Sequence, residues 1–299
     1  MKRALAISRH ELVSLRREKL PQVLLMVFIL MVSVSGLIGW LTNTTVSSVW
    51  TEATQTGLTQ APNPFENVSP LYYSRNTVIY LVLIGALMAI VVGVTSTMRD
   101  RKARTIDLVL SRPISVVEYL LGKTIGVAIF LAAALVATGL ISWVSISFIV
   151  GKPLGFQDTA RLMGFFGIAL IFLMAFVLLG MISGVYASRE TTALLIPISL
   201  WSITAFVLPQ IGTSANPVSL LNPVPKVSVP GGAFDALNTI LGPLSVTEQF
   251  KGASGWLLSN PEATGDFTTS IFVVVIAASL GMLTLLLTRR DRIRGALND

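Results

Sequence analysis

The sequence predicts an all-α integral membrane protein with six membrane-spanning helices, and three observations predict it. Charged residues make up 12% of the 299 positions and apolar ones 53%, whereas a water-soluble domain carries about a quarter charged. Six apolar runs reach the ~20 residues that a helix needs to cross hydrocarbon. The basic residues fall on alternate connections between those runs, which is the positive-inside pattern. Several kinds of chemistry drop out at once. There is no cysteine and one histidine, His10, so disulfides, thiolate ligands, a cysteine nucleophile, a Ser-His-Asp triad and a histidine relay are all unavailable.

The chain opens with a basic segment over residues 1–20. Met1, Leu5, Ser8, Leu12 and Leu15 share one helical face, and Arg3, His10 and Arg17 another. This predicts an interfacial amphipathic helix leading into the first span, with His10 a solvated residue rather than a ligand. The basic lead and the apolar run behind it are both too long for a cleavable signal peptide. The spans are predicted at about 21–41, 77–98, 123–150, 162–186, 192–211 and 269–288. Ser115 followed by Glu118 is a capping box, so the third helix starts before its span and runs into the bilayer. Two long connections, 42–76 and 212–268, are rich in Pro, Gly, Asn, Ser and Thr. The second contains apolar pieces at 233–241 and 255–258. These are too short to span and read as re-entrant or surface-lying helices.

Orientation follows from Lys and Arg. Seventeen of the 22 basic residues lie in the N-terminal tail, in the second and fourth connections and after the last span. Five lie on the other side: Arg75, Lys152, Arg161, Lys226 and Lys251. Both termini are therefore expected in the cytoplasm and the chain in the plasma membrane. The positive charge is read as an anchor to lipid headgroups, not as a nucleic-acid surface.

The six runs contain no Asp, Glu, Arg or Lys in their interiors, and Lys123 is placed at a cytoplasmic edge among the headgroups. A site whose charge changes is the usual requirement for ion coupling, so a proton-driven pump is poorly matched. Gly180 and Gly184 form a small-xxx-small face, and Gly85 and Gly93 with Ala86 and Ala89 give the second span a slim side. Both are read as close helix packing, within the chain or at a subunit interface. Pro197 and Pro209, with Ser202 between them, interrupt the fifth run and mark a hinge, a cavity wall or plain packing.

The connection from Arg101 to Thr124 is the most informative stretch. It ends in Gly122-Lys123-Thr124, the tail of a phosphate-binding loop. The loop needs a glycine five positions earlier, where Val117 stands, and it follows a strand, where this sequence has a capped helix. No nucleotide site is present there. Thr105-Ile106-Asp107-Leu108-Val109-Leu110 instead offers apolar side chains in a cytosolic loop, and Ser111-Arg112-Pro113 breaks the helix. A short amphipathic helix, a turn and a membrane helix make a lever that a partner can grip. The alternative is a solvated loop packed on the membrane surface.

These residues resemble a family. The order Ile106-Asp107-Leu108-Val109-Leu110-Ser111-Arg112-Pro113-Ile114-Ser115, then Glu118-Tyr119-Leu120-Leu121-Gly122-Lys123, is similar to that in membrane subunits of type-2 ABC transporters, the ABC-2 permeases. It looks most like the branch that contains the permease of the nitrous-oxide reductase copper-site maturation transporter. The lead-in departs from the family pattern, with Lys102 and Arg104 in place of acidic and glycine positions. The resemblance implies a non-catalytic subunit that binds no cofactor. Two copies would pair, and two separate ABC ATPase subunits carrying ATP and Mg would dock below. Residues 101–110 would form the coupling helix, with Arg101, Arg104, Thr105, Ile106, Asp107, Leu108, Val109, Leu110 and Arg112 at the ATPase. Arg189 and Glu190 would form a second contact, and Pro197, Ser202 and Pro209 would line a translocation or hinge region. The motion would export a substrate or transmit force to an extracytoplasmic partner. A gradient-driven transporter or channel, an intramembrane enzyme and a membrane scaffold are the competing readings. The substrate is open among lipid, peptide, drug, sodium and copper or sulfur species.

Overall fold

A computed structural model describes residues 2–63, 65, 68–102, 114–208, 222–225, 236, 239–263, 265–288 and 293. Among them the chain is all-helical, with no strand, and six helices are long and apolar enough to cross a membrane. In order, the elements are α1 (Lys2–Leu15), α2 (Lys19–Gln55), α3 (Pro70–Lys102), α4 (Val116–Val150), α5 (Phe156–Tyr186), α6 (Glu190–Val207), a short α7 (Val246–Leu257) and α8 (Phe267–Leu286). All but α1 and α7 qualify as spans. Six crossings place α1 and the end of α8 on one side of the bilayer.

The bundle is organised around α3, the most buried span, which packs along α5. That crossing brings backbone against backbone. A Cβ on Gly93 would stand 2.2 Å from the Val177 carbonyl oxygen, and one on Gly180 would stand 2.5 Å from that of Ile90. The two small-residue faces read from the sequence thus meet each other within one chain. In lipid, where burial of apolar surface supplies little drive, such close packing holds helices together. The outer helices α2, α6 and α8 keep most of their apolar side chains on the outside of the chain.

The capping box of α4 is present. Ser115 Oγ accepts from the Glu118 N–H, and the Glu118 carboxylate accepts from the Ser115 N–H. Other expectations are corrected. The first helix does not stop near Leu41 but continues to Gln55, and at ~1.5 Å per residue it reaches ~55 Å, far beyond the ~30 Å hydrocarbon core. Along its polar end hydroxyls fold back onto the preceding turn: Thr51 donates to the Ser47 carbonyl and Thr54 to that of Trp50, both at 2.8 Å. Likewise α3 begins at Pro70, in a 3₁₀ turn, rather than at Thr77. Leu5, expected on the apolar face of α1, is exposed. The face that α1 buries carries Ser8, Glu11 and Leu15 and lies against Gly122 and Gly126 of α4.

In the long connection before the last span, the apolar piece 255–258 is the end of α7 and its C-cap, and the helix starts nine residues earlier. Ser245 caps it by accepting from the Glu248 N–H. Most of the other piece, 233–241, lies outside the described residues. α7 packs against α5. Phe250 stacks on Phe172, halfway along α5, with ring centroids 4.2 Å apart. At its other end Ser259, just past the helix, accepts from Arg161 near the start of α5.

Candidate functional site

On the side of the termini the helix ends are joined by charge. Lys123 is 2% exposed. Its Nζ lies 3.0 Å from Glu11 Oε2 and 2.9 Å from Asp100 Oδ2, and it donates to the Ser96 carbonyl at 2.5 Å. Arg99 bridges Glu11 at 3.1 Å and Glu18 at 2.5 Å. The Tyr119 hydroxyl donates to Asp100 at 2.5 Å. One connected group of five charges therefore ties α1 and the start of α2 to α3 and α4. The expectation that Lys123 sits among headgroups is overturned. The closely seated α1 covers it, and Glu11, itself buried, neutralises it.

Arg101 makes the second link. It is nearly buried, and its Nη1 donates to the carbonyls of Gly184, Val185 and Ala187 at 2.7, 3.2 and 2.8 Å. These are the carbonyls left over where α5 ends, and a cation there also meets the negative end of the helix dipole. Lys102 pairs with Glu190 at the start of α6. Arg101 and Glu190, drawn from two different connections, are thus brought to one place. Arg189 is exposed beside them. Arg104, Thr105, Ile106, Asp107, Leu108, Val109, Leu110, Arg112 and Pro209 lie outside the described residues.

The third feature lies inside the bundle, where defects in the helices are matched by donors. Pro197 has no N–H, so in α6 the Ala193 carbonyl loses its partner. Ser183 Oγ of α5 donates to it at 2.8 Å. Beyond Pro197 the helix widens into a π turn, Ile203–Val207, in which the Leu208 N–H bonds the Ile203 carbonyl. The Thr204 carbonyl is then left over, since the next position in that register is Pro209, a residue without an N–H in any conformation. Ser245 Oγ at 3.2 Å and Thr247 Oγ1 at 2.5 Å, both from α7, donate to it. A second π turn, Leu81–Gly85 in α3, leaves the Val82 carbonyl available, and the Trp201 indole donates to it at 2.9 Å. Pro197 is buried and Ser202 half-buried in this region. An opened backbone at membrane depth is tolerated when neighbouring hydroxyls and indoles satisfy it, and π turns are frequent at functional sites.

Helix α7 also brings charge into the bundle. Lys251 is fully buried and lies 2.8 Å from Glu248. The interiors of the six runs have no such group, and Lys251 reads from the sequence as one of the basic residues outside. Among the described residues no group of His, Asp and Glu could hold a metal ion.

Reasoning from the sequence missed Glu11, Lys123, Ser183, Trp201, Ser245 and Thr247 as members of these sites. A signal existed for two of them. The Ser245-x-x-Glu248 spacing repeats the capping logic of Ser115 and Glu118, and so announces α7 and its first turn.

These features define a class: a multi-pass helical membrane protein with its charged links on the side of the termini and hydrogen-bonded π turns inside the bundle. Residues 5–292 match the family described as ABC-2 family transporter protein, nearly the whole chain, and the chain belongs to that family. It is a permease subunit of an ABC transporter, a membrane transport component whose family implies an ABC ATPase partner. A comparison with curated proteins finds no match.

Proposed function

We propose that this chain is the non-catalytic transmission element of an ATP-driven machine. Two copies pair, two ABC ATPase subunits carrying ATP and Mg dock on the cytoplasmic side, and both termini lie on that side in the plasma membrane. Residues 101–110 are the main coupling helix, and Ser188-Arg189-Glu190 is the second contact. The observation that carries this reading is the link between them. Arg101 grips the end of α5, and Lys102 pairs with Glu190 at the start of α6. A push on either contact therefore moves α3, α5 and α6 together. The hinge on α6 then converts that motion into a change at the far side, held in register by Trp201 and by the hydroxyls of α7.

The result is export of a substrate or force on an extracytoplasmic partner, as the resemblance to the nitrous-oxide reductase maturation branch suggests. The chain holds no nucleotide and needs none. The test is co-expression with an ABC ATPase subunit encoded beside it. The expected result is a complex that co-purifies and hydrolyses ATP, with hydrolysis lost when Leu108→Asp places a charge on the coupling segment. A complex that assembles and works normally with residues 103–110 replaced by a Gly/Ser linker would refute the proposal.

A further inference from the structure

In the half of the bundle away from the termini, α4 and α5 diverge around a cavity of about 560 Å³. Its walls run from Ala132 to Trp143 on α4 and from Thr159 to Leu170 on α5. It opens sideways between Val136, Leu140 and Met163, which are 61–72% exposed. The walls are apolar. The polar atoms at its mouth are already paired, with the Trp143 indole donating to Thr159 Oγ1 at 3.2 Å. Nothing in the groove asks for a hydrogen bond from an occupant.

Three properties select what fills it. Each wall spans eleven residue steps, or ~16 Å at ~1.5 Å per residue, close to the ~15 Å of one leaflet in a ~30 Å core. Spread over that length, the volume gives a section of about 34 Å², less than half the ~80 Å² or more of a helix with its side chains, ~10–12 Å across. A whole helix of a second copy therefore does not lie inside the groove. The dozen lining residues also fall short of the ~20–30 residues a side of a stable protein interface. A thread-like apolar occupant is left, and at this depth the surroundings supply hydrocarbon chains. We infer that the α4–α5 groove is a binding site for a single acyl chain of a bilayer phospholipid in the leaflet away from the termini, with Trp143 at its headgroup end. Indoles favour that level of the membrane.

Gly167 gives the test. A Cβ built there meets nothing within 4 Å, so a large side chain can occupy the groove without displacing protein. The full-length chain is reconstituted into phosphatidylglycerol/phosphatidylethanolamine vesicles. These are doped with a phospholipid bearing a photoreactive diazirine midway along one acyl chain, and adducts are mapped by mass spectrometry. The expected result is labelling concentrated on 132–143 and 159–170. It falls at least fivefold in Gly167→Trp and is retained in Gly167→Ala, with all three proteins equally monodisperse. Equal labelling of the groove in all three overturns the inference. So does a photoreactive residue at Val136 that yields chain-to-chain adducts rather than lipid adducts. The measurement needs neither nucleotide nor ATPase, so its outcome is independent of the transmission reading.

Discussion

Replacing Lys123 by Met is the most direct probe of how α1 is held. The substitution keeps most of the apolar stem of the side chain and removes the ammonium, with its two ion pairs and its bond to the Ser96 carbonyl. At an effective dielectric constant of ~20, a pair of unit charges 3 Å apart attracts by ~5–6 kcal/mol. Lys123 makes two such pairs, at 3.0 and 2.9 Å. Much of that attraction offsets the desolvation of the ammonium, and the measurable loss on breaking a buried pair is about 3–5 kcal/mol, chiefly because a carboxylate is stranded. Here the stranded group is Glu11, 1% exposed and left with Arg99 alone. At ~2 °C per kcal/mol for a chain of this size, the midpoint of thermal unfolding should fall by roughly 6–10 °C. Glu11→Gln in the same chain should recover more than a third of the loss, because it removes the stranded charge. The assay is thermal unfolding of the purified chain in nanodiscs, run as a double-mutant cycle. A drop under 2 °C for Lys123→Met, or additive losses in the double variant, would refute the reading of Lys123 as a buried tether.

Other predictions follow from the same structure. Gly180→Leu would drive its side chain into the Ile90 carbonyl, 2.5 Å from a Cβ; the expected outcome is loss of folded, monodisperse protein, and size-exclusion chromatography checks it. Ser183→Ala leaves the Ala193 carbonyl without its donor in a Pro-interrupted helix, which should cost about 1 kcal/mol. Thermal unfolding reads that loss, and Ser183→Thr, which keeps the hydroxyl, should restore it. The Asp266 carboxylate caps α8 and is held below the ordinary carboxylate range by the Thr269 hydroxyl and then by the Thr269 N–H. Its contribution is therefore present above the ordinary carboxylate pKa and lost as pH falls through the lower, folded value. Asp266→Ala should be less stable than the parent at pH 7, with the two converging in acid.

Fold class was legible because it rests on bulk quantities: the length of apolar runs, the scarcity of charge and the placement of Lys and Arg. The capping box at Ser115 was legible because both halves of it lie three residues apart. What was lost is whatever depends on partners distant in sequence. Lys123 looks like a headgroup anchor beside its neighbours in the chain, and Glu11, more than a hundred residues away, together with Asp100 and the Ser96 carbonyl, explains why it is buried. The polar stretch after Leu41 reads as a loop because Thr and Ser usually favour turns, yet a helix can carry them with their hydroxyls bonded to the preceding turn. Pro197 and Pro209 announced a backbone defect, but nothing local names Ser183, Ser245 or Thr247 as the donors that answer it. Arg101 was legible as a basic residue of the connection. Its hold on the end of α5 depends on carbonyls more than eighty residues away.

The central claim is that motion enters through an ATPase at the Arg101–Glu190 link and leaves at the far side. The chain has no cysteine, so spin labels can be placed singly without a background. One label at Gly57, beyond the end of α2, in each of two copies would report the far side by electron–electron distance measurement in vesicles containing the ATPase partner. A shift of the distance distribution on ATP binding is expected, together with its loss in Lys102→Glu and its absence under a proton or sodium gradient alone. A shift driven by a gradient in vesicles that lack the ATPase would contradict the account.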